Sequence, residues 1–173
     1  MGSDKALLKI DGKPLLDKAV ELCRSVCDEV LISSDSAQHE RVEICRVEDQ
    51  CKDCGPMGGI YSGMKQSSNE WNFVLSVDAP FVEVDFIDFL LKNTDKFDAV
   101  VPVHDGKKEP LIAFYHRNAL PVFEKSLEEG NYKMHFLLEK VSTHFVEAEN
   151  WLKKYPKLFR NINTQRDLIR SNQ

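Results

Sequence analysis

Alternating strand and helix patterns predict an α/β fold, a three-layer sandwich on a mostly parallel, Rossmann-like sheet. Two observations carry this reading. Residues 73–77, Phe-Val-Leu-Ser-Val, are apolar almost throughout, as suits a strand covered on both faces. The segment from Val84 to Leu91 then places Phe86, Ile87, Leu90 and Leu91 at helical spacing, facing inward. The alternation continues along 173 residues, and no repeat, low-complexity tract or linker divides them. Residues 1–173 therefore read as one domain, long enough for a sizeable core.

The elements follow in order. Lys9-Ile10-Asp11-Gly12-Lys13 contains an Asp-Gly turn. Pro14 opens a helix, where its missing N–H costs nothing. Leu16, Ala19, Val20, Cys23 and Val26 recur at helical spacing, so one face of that helix is buried. Residues 30–32 form a short buried strand ending in Ser33-Ser34-Asp35, and 42–47 form a second, weaker one. Gly55-Pro56-Met57-Gly58-Gly59 reads as a loop before a helix over 60–65. Strands are expected at 99–103, 111–115 and 145–146, and helices at 119–127, Met134–Lys140 and 164–169.

Composition limits the functions. The net charge of −5 argues against a protein that coats nucleic acid or an anionic membrane, yet leaves room for a local nucleotide site. No run approaches the ~18–20 unbroken apolar residues of a membrane span. The N-terminus lacks a charged-then-apolar secretory pattern, so a cytoplasmic location is expected. The five cysteines, Cys23, Cys27, Cys45, Cys51 and Cys54, read as free thiols of a reducing compartment. Cys51-Lys52-Asp53-Cys54 with Cys45 also offers metal-binding chemistry, but no fourth ligand is evident.

In open α/β sheets ligands sit beyond the carboxyl ends of the strands. That rule selects Ser33-Ser34-Asp35, Glu48-Asp49 with the glycine segment behind it, and Asp78-Ala79-Pro80. Asp78 suits Mg²⁺, which takes one or two carboxylates plus substrate phosphates. The same residue also fits a turn before Pro80 that caps the next helix. The glycine segment lets backbone approach a ligand, and its helix N-terminus favours anions. It matches no phosphate-loop pattern and equally suits an ordinary strand-to-helix turn. Lys5 is a candidate for neutralising phosphate, or a solvated terminal lysine. Asn163 or Thr164 fits a helix N-cap as well as a ligand contact. His39, His104, His116, His135 and His144 show no metal-ligand spacing, and no serine or cysteine nucleophile motif is present. Chemistry without a nucleophilic side chain suits direct transfer between phosphates.

Five segments in order resemble the molybdenum cofactor guanylyltransferases. They are Met1-Gly2-Ser3-Asp4-Lys5-Ala6-Leu7-Leu8 with Gly12-Lys13-Pro14-Leu15-Leu16, then Gly55-Pro56-Met57-Gly58-Gly59, Val77-Asp78-Ala79-Pro80-Phe81, Glu109-Pro110-Leu111-Ile112-Ala113, and Asn161-Ile162-Asn163-Thr164 with Asp167-Leu168. Each is weak alone; together they span essentially the whole chain. The resemblance implies that the terminal phosphate of molybdopterin attacks the α-phosphate of GTP and pyrophosphate leaves. It implies Asp78 as the Mg²⁺ ligand, Lys5 as the charge on the phosphates, and Asp49 beside the Gly55 loop on the nucleotide. Ser33 stands where some relatives carry Asn. Lys133, Asn161 and Asn163 match positions on the molybdopterin side. Proteins that deliver molybdopterin or mature molybdoenzymes are the partners implied.

The resemblance departs at one place. Family members carry a strand and a Leu-x-Gly-Gly-x-x-x-Arg loop before the Met-Gly-x-Asp-Lys segment, and this sequence begins at that Met. The loop wraps triphosphate with backbone N–H groups, and the strand lies inside the sheet. A truncated N-terminus is therefore expected, with backbone groups of the neighbouring strands left unpaired. A related enzyme using CTP or making a sugar nucleotide is one alternative. A non-catalytic module that holds molybdopterin or a partner enzyme is another.

Overall fold

A computed structural model describes residues 4–41, 43–164 and 167. Strand β1 (Lys9–Ile10) and β2 (Lys13–Pro14) form a hairpin whose two-residue loop is Asp11-Gly12. Both loop residues have positive φ, 52° and 82°, the conformation that an Asp-Gly hairpin turn favours. Pro14 caps α1 (Leu15–Arg24) with an extended backbone, so the helix begins one residue later than the proline alone suggests.

The described sheet structure lies in separate pieces. β3 (Leu31–Ser33) pairs in parallel with β4 (Cys45–Val47). The larger sheet joins β5 (Trp71–Leu75), β8 (Ile112–His116), β6 (Ala99–His104) and β7 (Lys107–Lys108) in that order, with β9 (Thr143–Glu147) parallel to β6. β8 runs antiparallel to both β5 and β6. Among the described residues β3 pairs only with β4 and β5 only with β8. A cleft of about 600 Å³ lies between them, lined by residues of both strands and of α1 and α2 (Pro56–Gln66).

The three layers follow from period-two alternation. Ala99, Val101, Ala113 and Tyr115 face one core with Met57, Ile60 and Met64 of α2, Phe123 of α4 (Leu120–Glu128), and Leu137 and Leu138 of α5 (Met134–Lys140). Val100, Ile112 and Phe114 face the other, with Phe86, Ile87 and Leu90 of α3 (Val84–Leu91) and Trp151 of α6 (Glu149–Lys154). Side chains on neighbouring strand positions point to opposite faces, so both helical layers are required. Leu91, expected inward, is exposed: Leu90, one position earlier, already occupies the core-facing stripe.

Three other expectations shift. The apolar run at 73–77 is strand only to Leu75; Ser76 to Asp78 turns, with Ala79 N–H donating to the Ser76 carbonyl. The glycine segment is not a loop. α2 starts at Pro56, so Gly58 and Gly59 lie in its first turn. Cys51 and Cys54 form a disulfide rather than free thiols, their Cα atoms 5.7 Å apart, within the range a disulfide spans. Cys23, Cys27 and Cys45 are free. The helix expected over 164–169 and the strand start at position 42 fall largely outside the described residues, as do Met1, Gly2, Ser3 and Leu168. Among the described residues no helix is long and apolar enough to cross a membrane.

Candidate active site

Two groups of polar side chains gather at the carboxyl ends of the strands. The first surrounds Asp78, just past β5. Its Oδ1 accepts the Ser76 hydroxyl at 2.7 Å, and its backbone carbonyl accepts the Ile162 N–H at 2.8 Å. Its other oxygen lies 3.8 Å from Lys5 Nζ. Asp78 does not cap the next helix, because α3 begins at Val84 with Glu83 as its N-cap. The carboxylate is therefore oriented by Ser76, and its second oxygen is presented to a cation.

Lys5 reaches this carboxylate because its neighbours are anchored. It sits in a single 3-10 turn, Lys5–Leu7, capped by Asp4, whose Oδ1 accepts the Ala6 N–H at 3.0 Å. Ala6 is buried with Leu16, Val20 and Ile32, while Leu8 is buried with Ile10, Leu15 and Ile162. These two apolar anchors directly after it leave Lys5 projecting outward, its side chain about half exposed (49%) against 17% for Asp78. Lys5 Nζ also donates to Asn163 Oδ1. The bend is held locally: the Asp167 carboxylate accepts from the backbone N–H groups of Asn163 and Thr164 and from the Thr164 hydroxyl, and Thr164 Oγ1 accepts the Asp167 N–H. Lys5, Asp78 and Asn163 are thus brought together, and Asn161, exposed, lies one residue from the Ile162–Asp78 contact.

The second group joins β3, β4 and α2. Ser33 Oγ donates to Asp49 Oδ1 at 2.8 Å. A Cβ on Gly59 would sit 2.9 Å from that Ser33 oxygen and 3.3 Å from Asp49 Oδ1, so glycine permits the helix to approach both. Gly58 has the same reason on its other side, where an added Cβ would sit 2.9 Å from the Cys51 carbonyl oxygen. Gly55 holds φ 60° and ψ −153°, a region open essentially to glycine alone. Ser33, Asp49, Gly55 and Gly59 line the cleft, together with Ser76 and Val77 from the Asp78 side. Lys133 is not drawn into either group by a described contact; it caps α5 and lies over the Phe136 ring at 5.9 Å.

No group of three or more His, Cys, Asp or Glu side chains is placed to hold a metal among the described residues. Asp78 offers a single carboxylate oxygen facing a lysine. That donor set fits Mg²⁺ only as an ion shared with substrate phosphates and water, which is how Mg²⁺ is commonly held.

Sequence reasoning did not single out Ser76, and it took Gly59 only as part of the 55–59 segment that lets backbone approach a ligand. A serine two residues before an aspartate at a strand end is a local signal for Ser76. Gly59 has no such signal, because its contacts come from residues distant in sequence.

Residues 1–145 match the family profile described as MobA-like NTP transferase domain. A protein of a Geobacillus species, described as a probable molybdenum cofactor guanylyltransferase, is 33% identical over 171 residues, spanning 94% of this chain and 87% of its own. One so described from Halalkalibacterium halodurans is 30% identical, spanning 96% and 88%. The crystal structure of molybdopterin-guanine dinucleotide biosynthesis protein A from Archaeoglobus fulgidus superposes with a TM-score of 0.82 at 26% identity, covering 96% of this chain and 88% of that one. A 2-C-methyl-D-erythritol 4-phosphate cytidylyltransferase from Thermus thermophilus, TM-score 0.74 at 18% identity over 95% and 90%, shares the fold.

Proposed function

The chain belongs to the MobA-like NTP transferase family, and from that premise we propose that it transfers GMP from GTP to the terminal phosphate of molybdopterin. The observation that supports this most is the pairing of Lys5 with Asp78 at 3.8 Å, next to Ser76 and Val77, which line the same cleft as Ser33, Asp49 and the first turn of α2.

The reaction needs no nucleophilic side chain. An oxygen of the acceptor phosphate bonds to the α-phosphorus of GTP, the α–β phosphoanhydride bond breaks, and pyrophosphate leaves. Catalysis of this kind is positioning and charge neutralisation. Lys5 places a positive charge where phosphate oxygens gather. Asp78, oriented by Ser76, would hold Mg²⁺, which when bound would supply further positive charge to offset that of the phosphates. Asp49, steadied by the Ser33 hydroxyl, accepts hydrogen bonds from the nucleotide beside Gly55 and Gly59. Asn163 and Asn161 serve the acceptor side near Asp78, and Lys133 attracts its negative charge. Molybdopterin is taken from a delivering protein and the product passed to a maturation partner of molybdoenzymes.

The test is incubation of the chain with molybdopterin, Mg²⁺ and either GTP or CTP, with pyrophosphate release and the mass of the dinucleotide product as readouts. The guanine dinucleotide from GTP, with Mg²⁺ required, is the expected result. A preference for CTP would assign the chain to the cytidylyl branch. Binding of molybdopterin without pyrophosphate release would make it a holding module.

A further inference from the structure

One chain of polar side chains connects the β3–β4 pair to the N-terminal turn that carries Lys5. Ser34, immediately after β3, shares a hydrogen bond with His39 Nδ1 at 2.6 Å. On the other side of the ring, His39 Nε2 lies 2.7 Å from Asp4 Oδ2. The imidazole is largely buried, with 13% of its side chain exposed. Asp4 thus commits both carboxylate oxygens, Oδ2 to His39 and Oδ1 to the Ala6 N–H of the turn that carries Lys5. Ser34 is equally fixed: its N–H donates to the Val47 carbonyl at 2.9 Å and its hydroxyl oxygen accepts the Ser36 N–H at 3.1 Å. A continuous path of hydrogen bonds therefore runs from β4 through Ser34, His39 and Asp4 to the Lys5 turn.

The chemistry of the ring makes it a bridge. An ionised carboxylate can only accept, so Nε2 carries a proton toward Asp4. Nδ1 meets the Ser34 hydroxyl, which can serve it as donor or acceptor. The Ser34 oxygen also accepts the Ser36 N–H within the loop after β3. What the arrangement does is fix geometry. Lys5 belongs to a three-residue turn, and its side chain is half exposed. The apolar anchors Ala6 and Leu8 set its depth; only the His39 contact ties Asp4 to the end of β3, among the contacts described for it.

We propose that His39 is a positioning residue for Lys5, clamping the Asp4–Lys5 turn to the end of β3 so that the Lys5 ammonium stays beside Asp78. This rests on the reading of Lys5 as the charge that meets the nucleotide phosphates.

The experiment has two arms. Trace acetylation with acetic anhydride, read by peptide mass spectrometry, reports Lys5 without any nucleotide. In His39→Ala and Asp4→Asn, Lys5 labelling should rise about threefold or more while the other lysines keep their wild-type rates. His39→Gln, whose amide can still donate to Asp4, should return Lys5 toward the wild-type rate, and its melting temperature checks that the fold is retained. The second arm is a double-mutant cycle on GTP turnover. His39→Ala should lower kcat/KM about tenfold when Lys5 is present and cause no further loss in Lys5→Ala. Unchanged Lys5 labelling in His39→Ala and Asp4→Asn, or an equal loss from His39→Ala in the Lys5→Ala background, would overturn the proposal. Absence of turnover in the wild type would instead remove the functional reading, and the labelling arm would still decide the clamp.

Discussion

The Ser33 hydroxyl and the Asp49 carboxylate meet at 2.8 Å directly over Gly59, at the point where the ends of β3 and β4 touch the first turn of α2. Neither strand end alone would hold these side chains. The hydrogen bond holds Asp49 Oδ1 against Ser33, and the missing Cβ of Gly59 leaves room for both.

Gly59→Ala and Gly63→Ala form a matched pair on the same helix. Alanine in a helix interior is favoured over glycine by roughly 0.5–1 kcal/mol. At Gly63 nothing lies within 4 Å of the new methyl, so the variant should gain about that much stability. At Gly59 the methyl would meet Ser33 Oγ at 2.9 Å, so Ser33 and Asp49 must move. The expected outcome is loss of most GTP affinity in Gly59→Ala, with no stability gain comparable to that of Gly63→Ala. Thermal melts and nucleotide titrations side by side separate the two effects.

Asp78→Asn keeps the shape of the side chain while removing its charge. Loss of one preorganised electrostatic contact typically costs on the order of 10²–10³ in rate. Mg²⁺-dependent pyrophosphate release should fall by about that factor. Ser76→Ala, which frees the carboxylate to rotate, should cost less, about tenfold. Steady-state turnover across a Mg²⁺ series checks both, and turnover unchanged in Asp78→Asn would take this residue out of the mechanism.

Much of the framework is legible from sequence because its cause is local. The period-two alternation of Ala99 to Val101 and the helical spacing of Phe86, Ile87 and Leu90 describe burial that neighbouring residues share. The end of β5 was not legible for a physical reason. Val77 is apolar because it packs with Leu8, Ile10 and Ile32 clusters beyond the strand, not because the strand continues. The candidate site divides in the same way. Asp78 announces itself at a strand end before Pro80. Gly59 and His39 owe their roles to partners brought in from β3, β4 and the N-terminal turn, which no spacing rule encodes.

The free cysteines should differ widely in reactivity. Burial, aided by the neighbouring Cys27, pushes the Cys23 thiol up to about 12. Cys27 is also raised, by burial first and then by Asp28. Cys45 is exposed. With a thiol-specific disulfide reagent at pH 8, Cys45 should react first and Cys23 last, since the thiolate is the reacting form. Cys51 and Cys54 should remain silent until their disulfide is reduced. The sign of the linked stability effect is set by the raised value. Between pH 9 and about 12 the unfolded chain releases the Cys23 proton while the folded chain retains it. Stability should therefore fall through that window by more in the wild type than in Cys23→Ala.

Tyr115 connects the core to the Glu109-Pro110 segment that the resemblance marks. Its ring is fully buried against Phe123, and its hydroxyl donates to the Pro110 carbonyl at 2.8 Å. Burial raises its pKa well above the ordinary tyrosine range, so it remains a neutral donor at any working pH. Tyr115→Phe keeps the ring packing and removes only that donor, leaving the Pro110 carbonyl without it. A loss of about 1–2 kcal/mol in denaturant unfolding is expected. Glu109 is held separately, by His104 Nε2 at 2.9 Å. If the Tyr115 contact only supports the core, turnover at saturating substrate should stay near the wild-type value despite the stability loss. A parallel drop in kcat would instead place the 109–110 segment in contact with the reacting phosphates, because a purely structural loss acts on the folded fraction and not on the rate of each folded molecule.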